Sequence, residues 1–125
     1  MEKEILEAFN KWNEALQTGN SKVVAAMYDE NDGILLPTVS PKVRHNREEI
    51  ADYFDHFLEK HPFGTIDEAN VRVYGDIAIN SGLYTFELDG EEKGSRVKVG
   101  ARFTFVYKKK GDDWVILEHH SSVLP

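Results

Sequence analysis

The feature that most constrains this chain is a change of rhythm at Gly64. Before it, apolar residues recur every three to four positions; after it, they recur at every second position. The first period lays side chains along one face of a helix, and the second alternates them across a strand. With 125 residues the chain has the length of one domain. Residues 1–125 therefore read as a single α+β unit, helical first and sheet second.

In the helical half, Ile5, Leu6, Phe9, Trp12 and Leu16 form one apolar stripe, which Gly19 ends. Ser21 opens a short second helix with Val23, Val24, Ala26 and Met27 as its packing residues, broken by Asp29 to Gly33. Gly33 to Leu36 reads as a short strand, closed by Pro37 and followed by a loop that also holds Pro41. Asn46, with Glu49 three residues later, is an N-terminal capping pair. It opens a third helix whose buried stripe is Ile50, Tyr53, Phe54, Phe57 and Leu58, and His61-Pro62 ends it.

In the sheet half, strands fall at about 65–74, 77–88, 95–109 and 114–122, with Gly75-Asp76, Asp89-Gly90 and Gly111-Asp112 at the turns. Connections this short force antiparallel pairing. In the longest strand the odd positions Val97, Val99, Ala101, Phe103, Phe105 and Tyr107 are apolar, whereas Lys98, Arg102, Thr104 and Lys108 are polar. One face is core and the other carries polar groups in mid-strand. Strands this long bend, often at bulges. A bent sheet closed by a helix is a cone with an opening, offering an inner pocket and an outer sheet face.

The chain has no cysteine, which excludes disulfides, thiolate catalysis and cysteine-held metals. A net charge of −7 argues against nucleic acid and anionic membranes as partners. The start, Met1-Glu2-Lys3-Glu4, has no signal-peptide apolar region, and no later segment is long enough to span a bilayer, so a cytoplasmic location is expected. Asp29-Glu30-Asn31-Asp32-Gly33 falls short of calcium-loop spacing, with Ser40 where the bidentate glutamate belongs. No metal and no cofactor is expected.

His119 and His120 are neighbours on a strand, so they point to opposite faces and cannot share one metal. Arg102, in mid-strand, is the first candidate for binding: its guanidinium matches either an internal acid such as Glu118 or the carboxylate of a ligand. Arg44 and His45 sit either in a solvated loop or at the rim of the cone. Trp12, Tyr28, Tyr53 and Tyr84 either line a pocket or fill the core. No nucleophile elbow, Gly-rich phosphate loop or paired-carboxylate motif is present.

Two stretches carry a resemblance. Ile34 to Ser40 leads into a helix containing Asp52-Tyr53-Phe54-Asp55-His56-Phe57-Leu58. The chain closes with Gly100 to Tyr107, then Trp114 to Ser122, ending His120-Ser121-Ser122-Val123-Leu124-Pro125. Over essentially its whole length the chain resembles the nuclear-transport-factor-2-like superfamily. Within that superfamily it is most similar to the association (hub) domain of calcium/calmodulin-dependent protein kinase II and its stand-alone bacterial and algal relatives; the SnoaL-like group is a more distant cousin. His120 and Ser122 match the hub's terminal motif, Leu83 stands where a hub arginine is expected, and Arg102 matches the stand-alone relatives.

The resemblance implies a cone of three N-terminal helices on a strongly curved antiparallel sheet of four long strands plus a short one. It implies self-assembly as a homodimer or a higher, ring-like homo-oligomer, and a pocket able to hold a small carboxylate. The expected function is a non-catalytic hub-like domain, with Arg102, Tyr84, Tyr53, Arg44 and His120 as ligand-binding residues. The alternative is a SnoaL-like enzyme of isomerase, cyclase or hydrolase type, using His119 or His120 with Arg102.

Overall fold

The computed structural model describes residues 2–125. Its elements are α1 (Glu2–Gln17), α2 (Ser21–Ala25), β1 (Ile34–Leu36), α3 (Arg47–Phe57) with a single 3₁₀ turn at Leu58–Lys60, β2 (Phe63–Tyr74), β3 (Ile77–Asp89), β4 (Arg96–Lys110) and β5 (Asp113–Val123). These bounds lie within about two residues of those read from periodicity, the usual scatter at element ends.

The helix starts follow from side-chain capping. Asn46 accepts from the Glu49 N–H at 2.9 Å, and the Glu49 carboxylate returns a bond to the His45 N–H rather than to Asn46. Asn20, one residue before the expected Ser21, caps α2 by accepting from the Lys22 N–H at 3.0 Å. The packing face of α2 also differs from expectation. Val24 and Ala25 are buried with Tyr28, whereas Val23 and Ala26 face solvent. Positions 24, 25 and 28 share one side of a single helical turn, and so short a helix has only that side to bury. On α1, Leu6 lies at the edge of the stripe and is 36% exposed; Ile5, Phe9, Trp12 and Leu16 form the buried line.

The five strands lie in the order β1-β5-β4-β3-β2. The four long strands form the expected antiparallel meander, while β1 adds to β5 in parallel, setting Leu35 opposite His119. The sheet bends where its ladders slip by one residue. Asp67 is extra in β2, between Ile66 and Glu68, and Leu117 is extra in β5, where Val106 pairs with Glu118 but Tyr107 pairs with Ile116.

The concave side is filled from α1 and α3. Trp12 of α1 meets Phe54 of α3, Phe86 of β3 and Phe105 of β4 edge-on, with ring centroids 6.4, 6.1 and 5.5 Å apart. Such aromatic contacts add to the gain from buried area. The odd positions of β4 from Ala101 to Tyr107 face this core. The even positions face out: Arg102 is exposed and Thr104, Val106 and Lys108 are half-buried, with no described helix packed over them.

Candidate functional site

The polar centre of the cone is built on β5. His119 is 3% exposed, stacked at 4.0 Å on Phe105, and bonded at both ring nitrogens. The donors fix the direction of the chain of bonds. Trp12 Nε1–H can only donate, and it does so to Tyr28 Oη at 3.2 Å. The Tyr28 hydroxyl is then free to donate to His119 Nδ1 at 2.8 Å, which assigns the remaining proton to Nε2. Nε2–H donates to Tyr84 Oη at 3.1 Å, and Tyr84 donates to Ser121 Oγ at 2.6 Å. Thr38, in the loop after β1, donates to the same Ser121 oxygen. A neutral imidazole satisfies every partner, whereas an imidazolium would set two N–H groups against the chain. Burial, with a smaller push from His120, lowers the His119 pKa from 6.5 to about 3. Burial likewise raises Tyr84 and Tyr28. None of these groups is poised to exchange protons near neutrality.

Little room is left beside this network. The void bordered by Thr38, Tyr53, Phe57, Tyr84, His119 and Ser121 measures about 10 Å³, enough for one water and no more. Tyr84 and Tyr53 therefore act as walls of a filled core. Tyr53 also borders a shallow mouth of about 210 Å³ with Ser40, Arg44, His56, Phe57 and Lys60. Arg44 stacks on Tyr53 at 5.7 Å, but its guanidinium is already engaged by Asp52 at 2.8 Å, the Glu49 carbonyl at 3.0 Å and Ser40 Oγ at 3.3 Å. Burial pushes the Tyr53 phenol up to about 12. His45, expected beside Arg44, instead turns outward to Glu49.

Arg102 does not reach the cone. It is exposed on the outer face of β4, between Leu83 of β3 and Ser122 of β5, and its guanidinium bonds to no described residue, Glu118 included. His120 lies on the same outer face, opposite Thr104. The expectation that Arg102 and one histidine share a pocket is thus corrected: they share the open side of the sheet. The helices' apolar stripes must meet the apolar face of β4, which turns the arginine's face outward.

The binding and catalytic candidates fall into three places: Tyr84 and His119 inside, Tyr53 and Arg44 at the mouth, Arg102 and His120 outside. Sequence reasoning missed Ser121 and Thr38 as members of the buried network. Ser121 had a signal, since alternation puts it on the side of His119. The Asp29 loop is likewise structural: its buried carboxylate accepts from the Asn31 and Asp32 N–H groups and pairs with Lys110.

A family described as the calcium/calmodulin dependent protein kinase II association domain matches residues 1–125. Among solved structures, a protein from Xanthomonas campestris, titled as an association domain of that kinase, is 47% identical, with a TM-score of 0.92 over 98% of this chain and 86% of that one. The hub homology domain of the kinase from Chlamydomonas reinhardtii superposes with a TM-score of 0.75 at 21% identity, covering 98% of each chain. A protein from Streptomyces avermitilis, titled as a dehydratase of the nuclear-transport-factor-2-like family, gives 0.84 at 17% identity over 99% of this chain and 96% of its own. These last two share the fold. No curated protein matches the chain.

Proposed function

The chain belongs to the calcium/calmodulin dependent protein kinase II association domain family, and on that premise we propose that it is a non-catalytic self-assembling domain whose copies pack through the outer face of β3, β4 and β5. The observation that carries this reading is the contrast between the two sides of the sheet. The inner side is closed around a saturated polar network. The outer side leaves Ile79, Leu83 and Val106 half-buried, with Arg102 and His120 beside them and no element of the described residues above. Apolar groups with an arginine and few carboxylates at the centre suit a protein interface. One face used twice gives an isologous contact.

Native mass by light scattering tests it. The expected result at micromolar concentration is a multiple of 14.3 kDa. Leu83→Arg adds a second guanidinium beside Arg102, sets like charges against each other at such a contact and should weaken association by about 3 kcal/mol, more than a hundredfold. A monomeric wild type, or a variant of unchanged mass, would overturn the reading. Ring size is proposed no more finely than a dimer or a closed multiple of it.

The catalytic alternative has less support, because His119 is enclosed on the side of the sheet away from Arg102, while His120 and Arg102 share an open face of the sheet and no enclosed pocket. A small carboxylate keeps one place, the mouth, where Lys60 and His56 border the rings of Tyr53 and Phe57. Butyrate at about a hundred times its Kd should add about 2.7 kcal/mol of stability. No shift, or the same shift in the His56→Ala/Lys60→Ala variant, would remove this part of the proposal.

A further inference from the structure

A second concavity, of about 640 Å³, lies between α1 and the β4–β5 hairpin, away from the outer face and from the mouth. This volume suits a small organic ligand. The gap exists because Ala8, half-buried on α1, presents only a methyl group toward this side. Its apolar walls are Met27, Tyr107, Trp114 and Ile116. Four carboxylates, Glu4, Glu7, Asp112 and Asp113, border it, against the ammonium groups of Lys3 and Lys11 and, over the Trp114 ring, that of Lys109. Trp114 donates its Nε1–H to Glu4 at 3.2 Å, and its ring draws the Lys109 ammonium to 5.7 Å from its centroid. The ring is thus held by a carboxylate and already attracts positive charge. Indole faces bind cations best when carboxylates lie nearby and water is partly excluded.

We propose that this groove is a binding site for an organic ammonium ion, its apolar body against Trp114, Met27 and Ile116 and its charge toward Asp112 and Asp113. A carboxylate of the same shape meets the excess of like charge and is rejected. The site stands apart from self-assembly: it shares no residue with the proposed contact at Ile79, Leu83 and Val106.

Three probes of one shape separate the terms: 4-phenylbutylamine, 4-phenylbutanol and 4-phenylbutyrate. The readout is the indole N–H resonance of Trp114, with that of buried Trp12 as internal reference. For so small a ligand the amine should bind with a Kd of roughly 1 mM. The alcohol should bind at least about tenfold more weakly, and the butyrate should leave the resonance in place. Ala8→Leu, a good helix former that fills the gap, should weaken the amine more than about tenfold without lowering the unfolding midpoint. The exposed turn variant Asp112→Asn/Asp113→Asn should weaken the amine while sparing the alcohol. Equal binding of all three probes, amine binding that survives Ala8→Leu, or no response of Trp114 to the amine would overturn the assignment. So would movement of the Trp114 signal with protein concentration alone, which would give the groove to a second copy.

Discussion

Gly82→Ala is expected to cost more than about 3 kcal/mol and to lower the unfolding midpoint by roughly 10 °C or more. The reason is a backbone placed by the first bulge. Asp67 is extra in β2, and the slip it causes brings the next peptide over β3. A Cβ on Gly82 would stand 2.0 Å from the Glu68 carbonyl oxygen and 2.8 Å from its carbon. Neither atom is the end of a flexible side chain, so β2 must lift from β3 around the bulge or the bulge must migrate. Either move breaks ladder bonds and shifts which residues of β2 face the core. Gly19→Ala is the control. Gly19 has a φ of +68° and open space around it, so an alanine there costs only the left-handed conformation, about 1–2 kcal/mol. Equilibrium urea unfolding of both variants checks the pair; Gly82→Ala within about 1 kcal/mol of wild type would contradict the steric account.

Gly82 also marks where reading the sequence stops. Hydrophobic periodicity depends on burial, so it located all the helices and strands to within about two residues, and even the side of β4 that Arg102 occupies. It could not show a bulge, which is a property of two strands in register and leaves no fixed pattern in either. In the β3 sequence Gly82 is simply a residue without a side chain. The second bulge has a larger consequence. Counting by twos from Ile116 would turn Glu118 and His120 inward. The extra Leu117 shifts the count, and His119 and Ser121 face the core instead. This is why the sequence left open which histidine faces inward. The role of Arg102 was misread for a different reason. A polar residue in the middle of a long strand suggests a pocket only if that face is concave, and which face is concave is decided by where α1 and α3 lay their apolar stripes. For Arg44 the sequence leaves a solvated loop and the rim of the cone as alternatives, because its partners Asp52, Ser40 and the Glu49 carbonyl come together only once α3 is formed.

Acid should destabilise the protein well above the range in which its carboxylates titrate, and His119 is the cause. It is the one buried histidine among the described residues; His45, His56, His61 and His120 are exposed. Its folded-state pKa, about 3, lies below its ordinary value of 6.5. Between those values the unfolded chain takes up a proton that the folded chain refuses, so stability falls as pH falls through that window and is unaffected above it. The slope approaches about 1.4 kcal/mol per pH unit, giving roughly 2 kcal/mol lost by pH 5 and on the order of 4–5 kcal/mol by pH 3. Asp29, held below the usual carboxylate range by Lys110, adds its own loss only as pH falls through the carboxylate range and below. The interval from pH 6.5 to 5 therefore isolates the histidine. His119→Gln replaces the neutral imidazole with one group that accepts and one that donates, and it cannot take up a proton. Its unfolding free energy should be lower than wild type at pH 8, because the amide fills less space beside Phe105 and Trp12, but flat between pH 6.5 and 5. Urea unfolding at half-unit steps of pH distinguishes the two proteins. A wild-type curve equally flat across that interval, or a variant that keeps the wild-type slope, would show that the buried network does not hold His119 neutral.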